Sequence, residues 1–386
     1  MFNFNKIPLA WLQLTRERTR LLVALAGIAF ADILMFMQLG FQDSLYFSNV
    51  RFHTSLDADL VMISSQSTSL IAMESFSQRR LFQALDVNGV ASVHPIYIDF
   101  NTFRNPVTGI PRNILVYGFN PESNIFNLAG VQANLDRIKI QDTILYDSAS
   151  RTEFGPIAEN FRRGTLPPVR VGRRSVRVVG LFELGASFGA DGNLITSDTN
   201  FLRLFIGRSQ GLIELGAIRL RPGANPQRVV RELRNYLNPD VRVLTKQGYI
   251  DFERDFWADN TAIGFIFTLG TAMGFIVGIV IVYQILYTEV ADNLAEYATL
   301  KAIGYTQNYL LNVILQEAFL LAIWGYIPGI IFTLFLYEQT RIATLLPIFM
   351  TVERGILVLV LTILMCFISG AIAVRKLRSA EPADIF

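Results

Sequence analysis

The sequence predicts an α-helical membrane protein with four transmembrane helices and a large α+β extracytoplasmic domain inserted between spans one and two. The first observation is composition: the 386 residues are 52% hydrophobic and only 17% charged, whereas soluble domains average about 25% charged residues. The second is that the apolar excess is concentrated in four runs. The third is that about 220 residues of mixed polar and apolar sequence separate the first run from the second.

Each apolar run is long enough to cross a bilayer, since a helix needs about 20 apolar residues to span the hydrocarbon core. Buried core helices, the alternative, usually carry apolar stretches of about 10–14 residues. The first run also lacks the small-residue cleavage pattern of a secretory signal, so we expect an uncleaved helix. The four runs are Leu21–Gly40, Ile263–Tyr287, Leu310–Tyr337 and Gly355–Val374.

Both termini are expected in the cytoplasm, because Lys and Arg concentrate in short cytoplasmic segments beside membrane spans. Four such residues precede the first run and three follow the last one. We therefore expect a multi-pass protein of the plasma (inner) membrane. Its predicted regions are residues 1–41, a cytoplasmic amphipathic helix with span one; residues 42–258, the extracytoplasmic (periplasmic) domain with stalk helices; and residues 259–386, spans two to four.

The outer region is predicted to fold as an α+β domain, because strand-like and helix-like segments alternate between turns that contain Gly and Pro. The segments Gln42–Arg51 and Tyr249–Trp257 are predicted stalk helices that continue spans one and two. Two further helices are predicted over Ser75–Leu85 and Pro226–Leu237. The predicted strands are Asp59–Ser64, Val90–Phe100, Asn113–Gly118, Thr143–Tyr146, Ser175–Leu184, Ala217–Leu220 and Val241–Leu244.

The sequence offers little chemistry, which argues against an enzyme. It contains no G-x-x-x-x-G-K-[ST] phosphate loop, no H-E-x-x-H metal motif and no G-x-S-x-G nucleophile elbow. One cysteine and two histidines exclude a disulfide framework and make a metal centre unexpected. A net charge of +2 is too small to indicate a nucleic-acid-binding protein. No catalytic, cofactor-binding or metal-binding residue is predicted.

Three weaker patterns in the outer region leave alternatives open. Asp57 and Asp59 form a D-x-D that is more typical of a strand-entry turn than of a metal site. The glycine-rich segment Gly185–Gly192 favours a hairpin or flexible loop over a phosphate cradle. An arginine cluster indicates either a solvated hairpin or a contact with an adaptor protein or anionic lipid head groups; its members are Arg162, Arg163, Arg170, Arg173, Arg174 and Arg177.

The segment after the second run is predicted to form a cytoplasmic amphipathic helix over residues 288–304. Glu289, Asp292 and Glu296 recur at helical spacing on one face, and Gly304 is typical of a helix C-cap. Helices that lie on a membrane surface are usually basic. The acidic face therefore favours docking to a cytoplasmic protein over binding at the lipid surface.

The same segment carries a specific resemblance. Its sequence Glu296-Tyr297-Ala298-Thr299-Leu300-Lys301-Ala302-Ile303-Gly304 resembles the E-x-A-x-L-K-A-I-G signature of MacB/FtsX-type ABC transporter permeases, the type VII class. The order of one span, a large outer domain and three spans is also that of the family. The segments Pro8–Leu14, Leu25–Ala31 and Tyr146–Pro156 resemble its DevC-like branch, the permeases of cyanobacterial exporters.

The resemblance implies a homodimer of permeases that works with a separate DevA-like ATPase dimer, a periplasmic DevB-like adaptor and a TolC-like outer-membrane channel. ATP and Mg would be bound by the ATPase, so no cofactor is expected on this chain. The implied activity is ATP-driven export of a glycolipid or other amphiphile, in contact with membrane lipid and without nucleic acid. The residues expected to couple to the ATPase are Glu289, Asp292, Glu296, Tyr297, Leu300, Lys301 and Gly304.

Within the spans, small and acidic residues are candidates for helix contacts. Gly270, Gly274 and Gly278 repeat at four-residue spacing, which favours close packing within a bundle or a dimer. Asp32 lies in the middle of span one and Glu317 about two turns into span three. Such carboxylic acids are costly in a bilayer. For Asp32 a polar contact between helices is favoured over a cargo or proton path, and for Glu317 a structural role near polar neighbours.

Two alternative functions remain at this stage. One is an FtsX-like scaffold that transmits motion to a cell-wall hydrolase without moving cargo. The other is a lipoprotein-extracting permease of the LolC/LolE kind. The size of the outer region favours the exporter over the scaffold, and the Tyr146–Pro156 resemblance favours it over lipoprotein extraction.

Overall fold

The computed structural model of the chain describes residues 18–293, 299, 303–304 and 306–377. The chain divides into two compact units. A membrane unit comprises the described parts of Met1–Asp43, Ala262–Ala343 and Ile348–Phe386, and an outer unit comprises Ser44–Thr261 and Thr344–Pro347. The outer unit also takes in the short loop between spans three and four, which the sequence did not indicate.

The described helices and strands follow in chain order, with short 3-10 turns at Ala84–Asp86, Pro121–Ser123 and Thr152–Phe154. The α-helices are α1 (Arg18–Asn49), α2 (Arg51–Ser55), α3 (Gln78–Gln83), α4 (Ala129–Gln132), α5 (Leu135–Ile138), α6 (Ile157–Arg162), α7 (Asp198–Leu204), α8 (Pro226–Tyr236), α9 (Lys246–Asp259), α10 (Ala262–Asp292), α11 (Gln307–Thr344) and α12 (Val352–Leu377). The strands are β1 (Leu60–Ser64), β2 (Phe76–Ser77), β3 (Val90–Arg104), β4 (Pro111–Phe119), β5 (Thr143–Asp147), β6 (Val169–Val171), β7 (Arg174–Phe182), β8 (Asn193–Ser197), β9 (Leu212–Ile213), β10 (Leu215–Leu220) and β11 (Val241–Thr245).

The membrane unit is built from the four long helices α1, α10, α11 and α12, each long and apolar enough to span a bilayer. The prediction of four spans is confirmed. All four helices contribute to one buried core, for example through Ile28, Val282, Leu321 and Met365. Other apolar side chains of the same helices face outward, as expected for a bundle whose solvent is lipid.

The outer unit is built on a nine-stranded sheet with the order β11-β1-β10-β3-β4-β8-β5-β7-β6. Its organising element is β3, whose fifteen residues make it the longest strand described. The first half of β3 pairs with β10, and its end pairs with β6. The latter pairing joins β6 back to β3, so that six strands from β3 to β6 form a closed ring. The prediction of a large α+β domain between spans one and two is confirmed.

All seven predicted strands are present, with shifted ends. The sequence missed β2, β6 and β9, which have only two or three residues, and β8, whose five residues are all buried and therefore do not alternate. The predicted helix Ser75–Leu85 is shorter than expected. Its first residues form β2, and the helix begins only at Gln78. The predicted helix Pro226–Leu237 is found as α8.

Two apolar layers cover the faces of the sheet. One contains Phe103, Phe154 and Phe201, and α8 adds Leu233 to it. The other contains Tyr117 and receives Phe52 from α2 and Tyr249 from α9. The second layer therefore includes both segments by which the outer unit is joined in sequence to spans one and two.

Candidate functional site

The predicted coupling helix of residues 288–304 is only partly described. Helix α10 continues to Asp292, so the first residues of the predicted segment extend span two rather than begin a separate helix. Glu296, Tyr297, Leu300 and Lys301 lie outside the described residues. At the far end, the N–H of Ile303 donates to the carbonyl of Thr299 at 3.0 Å, and Gly304 has a φ of +103°. That left-handed conformation is the one a glycine C-cap adopts.

Glu289 was expected on the exposed docking face, and the structure contradicts this. Its residue surface is only 4% exposed. The carboxyl of Glu289 is close enough to Glu317 of span three to act on it electrostatically. Glu289 therefore belongs to the interior of the bundle, because span two continues as one helix to Asp292 and this position lies on its buried face, near Glu317 of span three.

Asp292 is held by an intramolecular ion pair. Arg20 at the start of α1 donates from Nη2 to Oδ2 of Asp292 at the end of α10. The Asp292 side chain is still 55% exposed. This contact ties together the ends of spans one and two that are predicted to lie at the cytoplasmic surface.

The three glycines of span two lie against span one. A Cβ built on each would come within 3.3 Å of a span-one side chain, so the two helices approach as closely as glycine allows. This is a contact within one bundle, one of the two arrangements that the sequence left open. The built Cβ would lie 2.5 Å from Gln38 at Gly270, 3.2 Å from Met35 at Gly274 and 3.0 Å from Ala31 at Gly278, where it would also meet Met365 of span four.

Asp32 forms a polar contact between spans one and four. It is fully buried, and Oγ1 of Thr362 donates to its Oδ1 at 2.6 Å. The same hydroxyl also lies 2.7 Å from the carbonyl of Val358. On its other side, Asp32 lies against Gly329 of span three. A hydrogen bond between helices agrees with the favoured interpretation of this residue.

Glu317 differs from its predicted environment. It is fully buried, and neither carboxyl oxygen has a hydrogen-bond partner among the described residues. Sequence position alone suggested polar neighbours near the membrane surface. Instead, the last turns of α10 place Glu289 beside this part of span three.

A buried polar cluster that the sequence did not predict joins the two stalk segments in the outer unit. Glu253 of α9 is 1% exposed and accepts two hydrogen bonds, from Nε1 of Trp257 at 2.9 Å and from the N–H of Leu70 at 2.8 Å. Its Oε2 is also 3.5 Å from Nε2 of the fully buried His53 in α2. The ring of His53 lies 4.2 Å from that of Tyr249. We call these residues, Glu253, His53, Tyr249, Trp257 and Leu70, the stalk cluster.

Burial also determines the protonation of the tyrosines in this layer. It raises the pKa of Tyr249 and of Tyr117 well above the ordinary value, and nearby acidic groups act in the same direction. Both hydroxyls are protonated at physiological pH, as an ordinary tyrosine with a pKa of about 10 also is. The layer is a set of positioning contacts, without a nucleophile and base in hydrogen-bond contact.

The glycine-rich segment Gly185–Gly192 is neither a hairpin nor a phosphate cradle. It connects β7 to β8, and these strands do not pair because β5 lies between them. Its N–H groups are used internally: Gly185 donates to Asp147, and Gly189 and Ala190 donate to Oγ of Ser187. Burial raises the pKa of Asp147, although hydrogen bonds from the Asn193 side chain and from the N–H groups of Leu184, Ala149 and Gly185 oppose the shift.

The D-x-D pair enters a strand, as the favoured interpretation expected. Oδ2 of Asp57 pairs with Arg219 at 2.8 Å, and Oδ2 of Asp59 accepts the N–H of Leu220 at 2.8 Å. In the part of the chain that the structure describes, no three His, Cys, Asp or Glu side chains are grouped so as to hold a metal ion.

The arginine cluster is divided by the fold. Arg174 and Arg163 have acidic neighbours, Asp142 and Glu159. The others are exposed on α6, β6, the following turn and β7. These residues are Arg162, Arg170, Arg173 and Arg177.

Comparisons with known proteins found one family match and several similar solved structures. Residues 265–382 match the family described as "FtsX-like permease C-terminal". No curated protein matches the chain at a significant level. The periplasmic region of MacB from Actinobacillus actinomycetemcomitans is similar over 52% of this chain and 94% of that chain, with 12% identity and a TM-score of 0.35. The extracellular domain of the noncanonic ABC-type transporter YknZ from Gram-positive bacteria is similar over 49% and 100%, with 14% identity and a TM-score of 0.33.

Proposed function

We propose, from the premise that the chain is a membrane permease subunit of the MacB/FtsX (type VII) superfamily of ABC transporters, that it transmits motion from a cytoplasmic ATPase to its outer domain and so drives export. It is an inner-membrane protein. In this proposal both termini are cytoplasmic, ATP is hydrolysed on a partner subunit, and this chain performs mechanical rather than bond-breaking work.

The observation that carries the proposal is the length of α1. This helix runs without interruption from Arg18 to Asn49, 32 residues, which at 1.5 Å per residue is about 48 Å. A bilayer core is only about 30 Å thick. The helix that forms span one therefore extends beyond the membrane into the outer unit, where its last residues belong. A continuous helix is a stiff element that carries displacement along its axis.

Contacts at both ends of the two connected helices support the same mechanism. At the predicted cytoplasmic end, Arg20 and Asp292 tie span one to span two. At the outer end, the stalk cluster joins α2, which follows span one, to α9, which precedes span two. Span two is separated from α9 by a break at Asn260 and Thr261. The two connections thus differ in secondary structure: span one continues as one helix to Asn49, whereas two non-helical residues precede span two.

The proposed assembly is a homodimer of this chain with a DevA-like ATPase dimer, a DevB-like adaptor and a TolC-like channel. The proposed cargo is a glycolipid or another amphiphile. The predicted acidic face around Glu296 would meet the ATPase, whereas Asp292 is engaged by Arg20. Glu289 is left out of that contact because it is buried.

Co-purification of the full-length chain in detergent tests this function. We expect an ABC ATPase and a periplasmic adaptor to accompany the chain, both identified by mass spectrometry. Recovery of a peptidoglycan hydrolase without an adaptor would overturn the export proposal in favour of a scaffold. Recovery of the ATPase with lipoprotein and no adaptor would overturn it in favour of lipoprotein extraction.

A further inference from the structure

The hydroxyl group of Thr362 in span four lies between two oxygen atoms. Its Oγ1 is 2.6 Å from Oδ1 of Asp32 in span one and 2.7 Å from the carbonyl oxygen of Val358, one turn earlier in span four. Both distances are those of full O–H···O hydrogen bonds. A threonine hydroxyl has one proton to donate and two lone pairs that accept. If Asp32 were ionised, both neighbours would be acceptors and a single proton would have to serve them.

Other threonines in the long helices indicate where the proton of Thr362 goes. Four of them donate their hydroxyl proton to the carbonyl four residues earlier, at 2.8–3.1 Å, which is the usual hydrogen bond of a threonine inside a helix. These four are Thr268, Thr271 and Thr288 of α10 and Thr333 of α11. One of them, Thr268, also accepts a hydrogen bond from Nε2 of Gln42. In the same arrangement, Thr362 donates to Val358 and accepts a proton from Asp32.

A proton shared between the two acceptors is the alternative, and Ser369 of span four provides an example. Its Oγ lies 2.8 Å from the carbonyl of Ile279 and 2.7 Å from that of Met365. Both of those acceptors are neutral. An ionised Asp32 would have only this shared proton, because its Oδ2 has no hydrogen-bond partner among the described residues and the side chain is fully buried. A buried charge with so little compensation is strongly disfavoured.

The surroundings of Asp32 supply no counter-charge. In the part of the chain that the structure describes, the side chain that stabilises a charge on Asp32 is Thr362. The ionisable groups that face it are Tyr326 of span three and Cys366 of span four, and both residue types are uncharged at neutral pH. Span two approaches this level through Gly278, which packs against span one. Only a proton on Asp32 itself therefore removes the charge.

We propose that Asp32 is a proton-binding site of the membrane unit, in which the neutral acid donates to Thr362 and Thr362 donates to Val358. The proton of the contact between spans one and four then comes from Asp32 rather than from Thr362. Both short contacts are complete hydrogen bonds in this state. Oδ2 is the carbonyl oxygen of an uncharged acid, for which a missing partner costs less than for a carboxylate.

The proton and the contact between spans one and four are thermodynamically linked. The neutral acid is favoured while Thr362 faces Asp32, so the bound proton in turn stabilises that arrangement of the two spans. A movement that separates the spans changes how strongly the proton is bound. This inference concerns the chain itself and does not depend on the ATPase, the adaptor or the cargo of the proposed exporter.

Infrared spectroscopy of the full-length chain in nanodiscs tests the protonation directly, because a carboxylic acid and a carboxylate absorb at different frequencies. We expect the carbonyl band of a protonated acid at neutral pH, and Asp32→Asn should remove it. Thr362→Val, which keeps the side-chain shape without the hydroxyl, should shift the band because the acid loses its acceptor. Glu338→Gln is the matched control: the native side chain is 50% exposed, and its replacement should leave the acid band unchanged.

Isotope labelling keeps the test independent of the Asp32→Asn variant. Labelling of aspartate carboxyl carbons with 13C should shift the same band that Thr362→Val shifts, without any change at position 32. Loss of carboxylate absorption rather than acid absorption in Asp32→Asn would overturn the proposal. A carboxylate signal that changes with sodium concentration would overturn it in favour of a metal cation.

The sole cysteine, Cys366, tests the linkage, because it is buried in span four close enough to Asp32 to be affected by its charge. The pH is raised until the acid band disappears, and the reaction of Cys366 with a small membrane-permeant thiol reagent is followed. Deprotonation should loosen the contact, so the reaction should accelerate more in the wild type than in Asp32→Asn. The same pH dependence in both proteins would show that the proton does not hold the spans together.

Discussion

Glu214 shows how a single residue can make the outer domain sensitive to pH. It is 3% exposed and accepts the N–H of Ile98 at 2.9 Å while it pairs with Arg208. Burial raises the pKa of Glu214 to about 7, against the opposing effects of the Ile98 N–H and of Arg208. The folded state therefore binds a proton at this site that the unfolded state releases near its ordinary pKa of 4.5.

The sign of the resulting pH dependence follows directly. Because the pKa is higher in the folded state, the stabilisation is complete below about pH 4.5 and is lost as the pH rises to about 7. Its size is at most about 3 kcal/mol. Thermal unfolding of the full-length chain and of Glu214→Gln between these pH values tests it. We expect the difference in stability between the two proteins to change across this window, and a constant difference would contradict the assignment.

Sequence reasoning found some candidate residues and missed others for a physical reason. Asp32 and Glu317 were visible because a charge inside an apolar run is conspicuous in one dimension. The pair His53 and Glu253 was invisible, since two hundred residues separate its members and only the packing of α2 against α9 brings them together. Glu289 was placed on the wrong surface because the end of span two could not be located from hydropathy alone.

At the level of elements, glycines set the distance between spans. A Cβ on Gly325 of span three would lie 2.7 Å from Cβ of Ile28 in span one. That atom is fixed to the backbone, so the two helices would have to separate. Gly370 of span four is also buried, but its nearest neighbour would be 3.5 Å away, an ordinary contact.

Gly325→Ala and Gly370→Ala therefore form a matched pair with opposite expected outcomes. Overpacking should make Gly325→Ala less stable by about 1–3 kcal/mol. Gly370→Ala should be neutral or more stable by up to about 1 kcal/mol, because alanine favours a helix over glycine. Unfolding of the full-length chain in detergent, followed by circular dichroism, measures both. Equal losses would mean that glycine at these positions serves flexibility rather than close approach.

Helices and strands could be predicted where a local sequence pattern marks them. The four spans follow from the length of the apolar runs, and the main strands follow from their composition and bounding turns. The closure of the sheet by β3 and β6 was not predictable, because Val169–Val171 is too short to show a period. The Gly185–Gly192 connection was predicted as a hairpin or flexible loop, because the sequence does not show that β5 lies between β7 and β8. Strand order is a tertiary property.

For the whole molecule, the proposed transmission requires that spans one and two move together at their cytoplasmic ends. Among the described residues, the ion pair between Arg20 and Asp292 joins those ends. It is partly exposed, and such pairs contribute only about 0.2–1 kcal/mol to stability. Its loss should therefore leave the fold intact, which separates a role in transmission from a role in folding.

Charge reversal provides the decisive experiment on this pair. Arg20→Asp or Asp292→Arg, reconstituted with the partner ATPase, should retain ATP hydrolysis but lose most of the ATP-dependent signal from a fluorophore on the outer domain. The double variant Arg20→Asp/Asp292→Arg should restore that signal, because the pair is re-formed with its charges exchanged. Reversal of the exposed pair Arg163 and Glu159 serves as the control and should change nothing. If the single variants keep the full signal, motion reaches the outer domain without this tie, and span one alone would have to carry it.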